Sequence, residues 1–238
     1  MTAAVGPPRV VFADADLVVV DKPSGMPSVP ARTSDDPPAV AALLHSAWGK
    51  LEAVHRLDRD TSGLLVLART PAARAAVGRA FESRRVAKRY LALVAGRPPA
   101  AAGIVHLPLA DDRTRPPAKR VDPILGRRAT TRWRVIADGD DGARWTLVEL
   151  EPVTGRSHQL RVHLAWLGCP IRGDRLYGPR GLAPAGPLAL HAAALELPHP
   201  ADGRPLRLES LPAESPWDAF QAALSAAVTS RSDAGLSG

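Results

Sequence analysis

Four stretches hold the side chains with most chemistry to offer: His55-Arg-Leu-Asp-Arg-Asp-Thr-Ser-Gly63, Lys88-Arg-Tyr90, Thr154-Gly-Arg-Ser-His-Gln-Leu-Arg-Val-His163, and Gly173-Asp174 with Tyr177-Gly178. The first sets two carboxylates, Asp58 and Asp60, among arginines and hydroxyls directly ahead of an apolar run. Ionisable groups are thereby placed at the rim of a core, where a carboxylate serves acid–base or nucleophilic chemistry. The same residues also suit an Asx-turn with surface ion pairs. In the second stretch, strand alternation puts Lys88 and Tyr90 on one face and Leu91 and Leu93 on the other. A sheet tyrosine with a satisfied hydroxyl is the plainer use of that residue. His158 and His163 lie five apart, not the four that align two ligands on one helix face, and no acid or thiol cluster accompanies them. A metal site is not expected. A phosphate-cradling Gly-x-x-x-x-Gly-Lys, dinucleotide glycine spacing and a serine nucleophile elbow are all missing from the sequence, which argues against ATP use, hydride transfer and acyl transfer.

The elements that position these groups are short. Arg9-Val-Val-Phe and Leu17-Val-Val-Val20 are expected to form a hairpin around Ala-Asp-Ala-Asp, and Lys22-Pro-Ser-Gly25 then breaks into a loop. Pro38 to Lys50 predicts a short helix. Leu64-Leu-Val-Leu67 predicts a buried strand, and Thr70-Pro71 opens a helix to about Ser83, with Thr as N-cap and Pro at the first turn. Val86 to Val94 and Trp145 to Leu150 predict strands. Ser157 to Leu167 predicts a helix stopped by Gly168, and Ala189 to Leu197 and Leu206 to Leu208 predict late strands. Asp111 to Arg128, with Pro116-Pro117 and Pro123, reads as an irregular loop. Strands outnumber helices and lie in hairpin-like runs, so the expected class is α+β with a mixed, mostly antiparallel sheet flanked by helices and loops. Residues 1–9 are expected to be a flexible N-terminus, 10–217 a single domain, and 218–238 a terminal helix with a disordered Ser/Gly-rich end.

Charge supplies the partner class. The 238 residues carry 31 basic and 24 acidic side chains, net +7, and only Lys22, Lys50, Lys88 and Lys119 are lysines. Arginine forks suit phosphate oxygens, so the balance points to a polyanion. From Arg69 to Arg89 seven basic residues face one acid, Glu82. Only 4% of residues are aromatic, which argues against serial base stacking on a single strand. The longest apolar runs are too short for a bilayer, the N-terminus has no signal-peptide pattern, and Cys169 alone excludes an internal disulfide framework. A soluble cytoplasmic protein is expected.

Asp21-Lys-Pro-Ser-Gly25, His55 to Leu64, Lys88-Arg-Tyr90, Thr154 to His163, Gly173-Asp174…Tyr177-Gly178 and Leu190-His-Ala192…His199-Pro200 stand in one order along nearly the whole chain. Together they resemble the RluA-type pseudouridine synthases. The resemblance implies that family's catalytic fold, without the N-terminal S4-type domain many members carry. It also implies isomerisation of uridine in structured RNA, without a redox change, energy source, cofactor or metal. By correspondence Asp58 is the catalytic carboxylate, as nucleophile or by deprotonating the sugar. Arg161 pairs with it and keeps it ionised, and Tyr90 stacks on the uracil and is placed to take the C5 proton. Arg56 fills the space of the flipped base. His55, Leu57, Thr61, Lys88, Arg89, Arg156, His158 and Gln159 complete the expected substrate-binding set, and the Arg69–Arg89 region is expected to hold the RNA backbone. The phrases Met26 to Arg32 and His106 to Asp111 resemble a dual-substrate branch acting on 23S rRNA and the tRNA anticodon stem-loop. A monomer is expected. Two other classes compete: a non-catalytic RNA-binding or ribosome-assembly protein on the same fold, and a two-carboxylate glycosidase.

Overall fold

The computed structural model describes residues 7–30, 37–138, 145–178, 186–213 and 216–232. In chain order the elements are β1 (Arg9–Ala13), β2 (Leu17–Lys22), α1 (Val40–Trp48), β3 (Glu52–Ala53), β4 (Ser62–Ala68), α2 (Pro71–Glu82) and β5 (Ala87–Ala95). There follow β6 (Ala102–His106), β7 (Leu109–Asp111), β8 (Lys119–Val121), β9 (Thr130–Asp138), β10 (Trp145–Pro152), α3 (Gln159–Trp166), β11 (Leu190–Pro198), β12 (Pro205–Glu209) and α4 (Gln221–Ser232). The chain divides into two compact units, Met1–Tyr90 with Leu190–Ser210 and Leu91–Ala189 with Leu211–Gly238.

In the first unit β1, β2 and β4 pair antiparallel in that order, and β11 joins β4 in parallel, with His191 opposite Ser62. The β1–β2 turn forms because the Asp14 carboxylate accepts the N–H groups of Asp16 and Leu17, both at 2.8 Å, an Asx-turn. Leu17 to Val20 and Leu64 to Leu67 are wholly buried. They read as unbroken apolar runs because both faces of the sheet are covered. On one face Leu17, Val19, Leu64 and Val66 pack with Ala73, Val77 and Ala80 of α2. The predicted start of α2 is realised: Thr70 Oγ1 accepts the Ala73 N–H at 3.0 Å and Pro71 takes the first turn. On the other face Val18, Val20, Leu65 and Leu67 pack with Val40 and Leu44 of α1, Met26, Leu57 and Tyr90. Each fully buried leucine or valine contributes roughly 1.5–3 kcal/mol, so Leu57 is a substantial anchor for the loop that carries Asp58.

In the second unit β9 pairs antiparallel with β10 and with β6. Asp111 to Arg128 is more ordered than an irregular loop: β7 and β8 form an antiparallel ribbon with Leu109 opposite Val121. Strands of three residues are too short for hydrophobic periodicity to reveal. Helix α3 begins at Gln159, two residues inside the predicted start, because His158 adopts the left-handed conformation with φ 56°. Gly168, with φ 78°, follows its end as expected. Every described pairing within either unit is antiparallel except β4 with β11, so the mostly antiparallel α+β class is observed. The expected Ser/Gly-rich end beyond α4 and most of the expected N-terminal segment (233–238 and 1–6) lie outside the described residues; Arg9 already belongs to β1. Among the described residues no helix is long and apolar enough to cross a membrane.

Candidate active site

The loop from His55 to Thr61 is fixed by its main chain. Thr61, itself buried, donates its N–H to the Asp58 carbonyl at 3.1 Å and closes a turn around Arg59-Asp60. The neighbouring Lys22-Pro-Ser-Gly loop grips that turn. Ser24 Oγ donates to the Asp60 carbonyl at 2.7 Å, and Gly25 N–H donates to the Arg59 carbonyl at 3.0 Å. Ser28 Oγ donates to the Leu57 carbonyl at 2.9 Å while accepting the Leu57 N–H at 3.0 Å. Lys22, with no exposed surface, donates to the carbonyls of Pro23, Met26 and Arg59 at 2.9, 2.8 and 2.9 Å. All three protons of an ammonium are thereby used. Burial draws the Lys22 pKa down to about 7, opposed by the charges of Asp60, Asp58 and Asp21.

The far end of the loop is tied to β11. Ser62 Oγ lies 2.9 Å from His191 Nδ1, and His191 Nε2 lies 3.1 Å from the Ser210 carbonyl. A carbonyl only accepts, so Nε2 carries the proton and Ser62 donates to Nδ1. Burial lowers the His191 pKa and keeps this neutral form. Gly63 has φ 104°, and a Cβ there would collide with the Ala192 backbone. Only glycine lets β4 and β11 meet immediately after the loop.

Around this frame the predicted residues of the first unit take different positions. Tyr90 packs into the apolar cluster that holds Leu57. Burial, and then the Asp58 charge, push its phenol well above the ordinary value, so Tyr90 stays neutral beside the carboxylate. His55 Nε2 accepts the Val66 N–H at 3.1 Å, and its ring stacks on Phe81 with centroids 4.8 Å apart. Burial, with the Lys88 charge adding to it, takes the imidazole down to about 3. His55 is therefore a neutral brace of the loop. Burial also lowers the Lys88 pKa. Arg56 is exposed, whereas Arg89 is buried and donates to Glu209 at 2.6 Å. Arg74 pairs with Glu52 at 3.1 Å and Arg69 lies over the Trp48 ring. The Arg69–Arg89 charge thus divides between structural partners and exposed side chains such as Arg84 and Arg85.

In the second unit Arg161 is held by side chains. Its Nε and Nη2 donate to the two carboxylate oxygens of Asp174, each at 2.8 Å, and both residues are buried. The guanidinium carbon stands 5.1 Å from the centre of the Tyr177 ring. Asp174 is oriented in turn by the N–H groups of Leu176 and Tyr177, at 2.9 and 3.0 Å. The Tyr177 hydroxyl accepts the Lys119 N–H at 2.6 Å and meets His158 Nδ1 at 2.7 Å. Gln159 is buried and fully engaged. Its Oε1 accepts from Thr154 Oγ1 and the Arg156 N–H, and its Nε2 donates to the Thr130 carbonyl and Thr131 Oγ1. Arg156 Nε donates to the Arg128 carbonyl at 3.1 Å. Lys22, Ser28, Asp174 and Tyr177 emerge as organisers although the sequence assigns them no role. The signal for Lys22 is a lysine at the end of a strand whose other residues, Asp21 apart, are apolar. For a metal, Asp14, Asp16 and His199 bring ligand atoms within 4.8 Å of one another, but Asp14 already accepts two N–H groups and lies 2.6 Å from His199.

The family profile for RNA pseudouridylate synthase matches residues 16–166, a span that includes Asp58, Tyr90 and Arg161. The chain belongs to this family. It is an RNA pseudouridine synthase, an isomerase that converts uridine in RNA to pseudouridine. Among curated relatives it is similar to proteins named dual-specificity RNA pseudouridine synthase RluA. It is 41% identical to that of Yersinia pestis over 84% of this chain and 97% of the relative, and 42% identical to that of Escherichia coli K12 over 84% and 91%. Among solved structures it is similar to human RNA pseudouridylate synthase domain containing 1, with TM-score 0.76 and 27% identity over 89% of this chain and 86% of that one. Human RNA pseudouridylate synthase domain containing 4 gives TM-score 0.67 and 31% identity over 86% and 88%.

Proposed function

We propose that Asp58 is the carboxylate that attacks or deprotonates the ribose while the N1–C1′ bond breaks and the C5–C1′ bond forms. The C5 proton is lost and N1 gains one, so atoms and oxidation state balance without a cofactor. The observation that supports this assignment is the loop itself: main-chain bonds lock its turn, and the Asp58 charge is felt at the buried Tyr90 phenol. Tyr90 acts as a neutral stacking surface for the uracil. A phenol held above its ordinary pKa is a poor proton acceptor, so removal of the C5 proton by Tyr90 is the weaker part of the family-based reading. The roles of Arg161 as the cation for Asp58 and of Arg56 as the occupant of the vacated base position rest on the resemblance. Flipping the uridine costs a few kcal/mol, recovered through binding of the surrounding RNA by Arg56, Lys88, Arg156 and His158; Thr61, being buried, serves the loop turn instead.

The RNA targets are proposed to be 23S rRNA and the tRNA anticodon stem-loop, on the strength of 41–42% identity to relatives named dual-specificity. The enzyme is proposed to act as a cytoplasmic monomer through a catalytic domain spanning 10–217. Pseudouridine mapping of total RNA with and without the gene tests the targets. Loss of sites in both RNA classes is expected; loss confined to one class, or at unrelated sites, rejects the dual assignment.

A further inference from the structure

Ile124 and Leu125 stand out on the surface. They are adjacent aliphatic side chains, 90% and 77% exposed, in the turn between β8 and β9. A single exposed leucine needs no explanation, but this turn is built to hold the pair in place. The Asp122 carboxylate accepts the N–H groups of Ile124 and Leu125 at 3.1 and 2.9 Å, and Arg120 donates to its other oxygen at 2.7 Å. Gly126 N–H returns to the Asp122 carbonyl at 2.9 Å, and any Cβ on Gly126 would strike that oxygen and the Pro108 backbone. Leu109 and Arg127 then close the base by exchanging two main-chain bonds, at 3.0 and 2.8 Å.

Both ends of the turn are bonded to the residues around Arg161. Lys119, at the start of β8, donates its N–H to Tyr177, the residue that underlies the Arg161 guanidinium. Beyond the turn, the Arg128 carbonyl accepts from Arg156, the Thr130 N–H reaches Thr154 Oγ1, and the Thr130 carbonyl accepts from Gln159. Ile124 lies five residues from Lys119, within roughly 17 Å of it even if the chain were fully extended. Only the Tyr177 side chain separates Lys119 from the Arg161 guanidinium, so the turn lies within the length of an RNA stem-loop placed at Arg161. The surroundings are cationic: from Asp111 to Arg128 there are six basic residues and three acids. Each acid is matched within the segment, Asp111 by Lys119, Asp112 by Arg115 and Asp122 by Arg120. The neighbours Arg127 and Arg128 are exposed.

We propose that the Ile124–Leu125 tip is an apolar finger that packs against base or ribose faces of the substrate RNA, with Arg127 and Arg128 on the adjoining phosphates. This rests on the reading of the chain as an RNA pseudouridine synthase and names the surface that grips the RNA. An aliphatic wedge beside arginines is a known way to hold a distorted nucleic acid, and charge complementarity favours RNA over a second copy of this basic chain.

The test uses the full-length protein and a tRNA anticodon stem-loop transcript carrying the uridine modified by the wild type. Ile124→Ser/Leu125→Ser is expected to weaken RNA binding roughly tenfold, because it removes apolar contact. The slope of log affinity against log salt should stay unchanged, as should the single-turnover rate at saturating RNA. Arg127→Ser/Arg128→Ser is expected to reduce the magnitude of that slope by about 2. Unchanged affinity in the aliphatic variant overturns the proposal, as does loss of a dimer in sedimentation, which would assign the tip to a second copy. A wild-type protein that releases no tritium from any C5-labelled RNA would instead reject the synthase reading, so the two failures are distinguishable.

Discussion

The Asp58 loop and the Arg161 segment are both rigid, yet they are held in different ways. Around Asp58 the acceptors are main-chain carbonyls of Leu57, Arg59 and Asp60, gripped by Ser28, Lys22, Gly25 and Ser24. Around Arg161 the partners are side chains: both oxygens of Asp174 and the Tyr177 ring. A backbone lock works through carbonyls that any residue supplies, so it holds the main chain of the Asp58 turn whatever side chains that turn carries. A side-chain lock makes the position of Arg161 depend on each partner's identity. Support of the main chain thus tolerates side-chain replacement in the first region and depends on side-chain identity in the second.

That contrast can be broken at several points. Asp174→Asn should have the largest effect on stability, about 3–5 kcal/mol, because it removes a buried, two-oxygen counter-charge from a buried guanidinium. Urea denaturation followed by far-UV circular dichroism measures it. Lys22→Met should cost less, about 2–4 kcal/mol. Three carbonyls lose a donor, but a buried ammonium already disfavoured by burial is also removed. Denaturation together with single-turnover kinetics should show stability and rate falling together, since the loop loosens; an unchanged rate would mean the lock is dispensable.

Tyr90→Phe is expected to keep RNA affinity and lower the single-turnover rate less than about tenfold, because a stacking face survives. A much larger loss would restore a proton-transfer role to the hydroxyl. A further effect is on pH dependence. The His55 pKa falls from near 6.5 in the unfolded chain to about 3 in the fold, so between those values the unfolded state binds more protons. Stability should therefore rise as pH climbs from about 3 to 6.5, be fully present above that range, and be lost on acidification. The slope of Tm against pH in this window should flatten in His55→Asn.

Part of this was legible in the sequence. The β2 and β4 cores show as unbroken apolar runs because both of their faces are covered, and Thr70-Pro71 marks the start of α2 because capping depends on residue type. The β7–β8 ribbon did not show, since three-residue strands carry no period. Nor did the grip of Lys22 on the Asp58 loop: its partners are carbonyls, which every residue has, so no side-chain pattern records them. The Arg161–Asp174 pair spans thirteen residues and three conformational breaks, the end of α3, Gly168 and Gly173. Such a pairing is set by the fold, not by local spacing. His55 shows the converse. Its place in a reactive-looking stretch suggested substrate contact, and the fold uses it to brace Val66 and Phe81.

The central assignment is that the Asp58 side chain performs the chemistry. Tritium release from C5-labelled uridine in a stem-loop RNA, with binding measured in parallel, tests this directly. The account predicts that Asp58→Asn binds the RNA within about threefold of the wild type and releases tritium roughly 10⁴-fold more slowly or not at all. Tritium release by Asp58→Asn at the wild-type rate would contradict it.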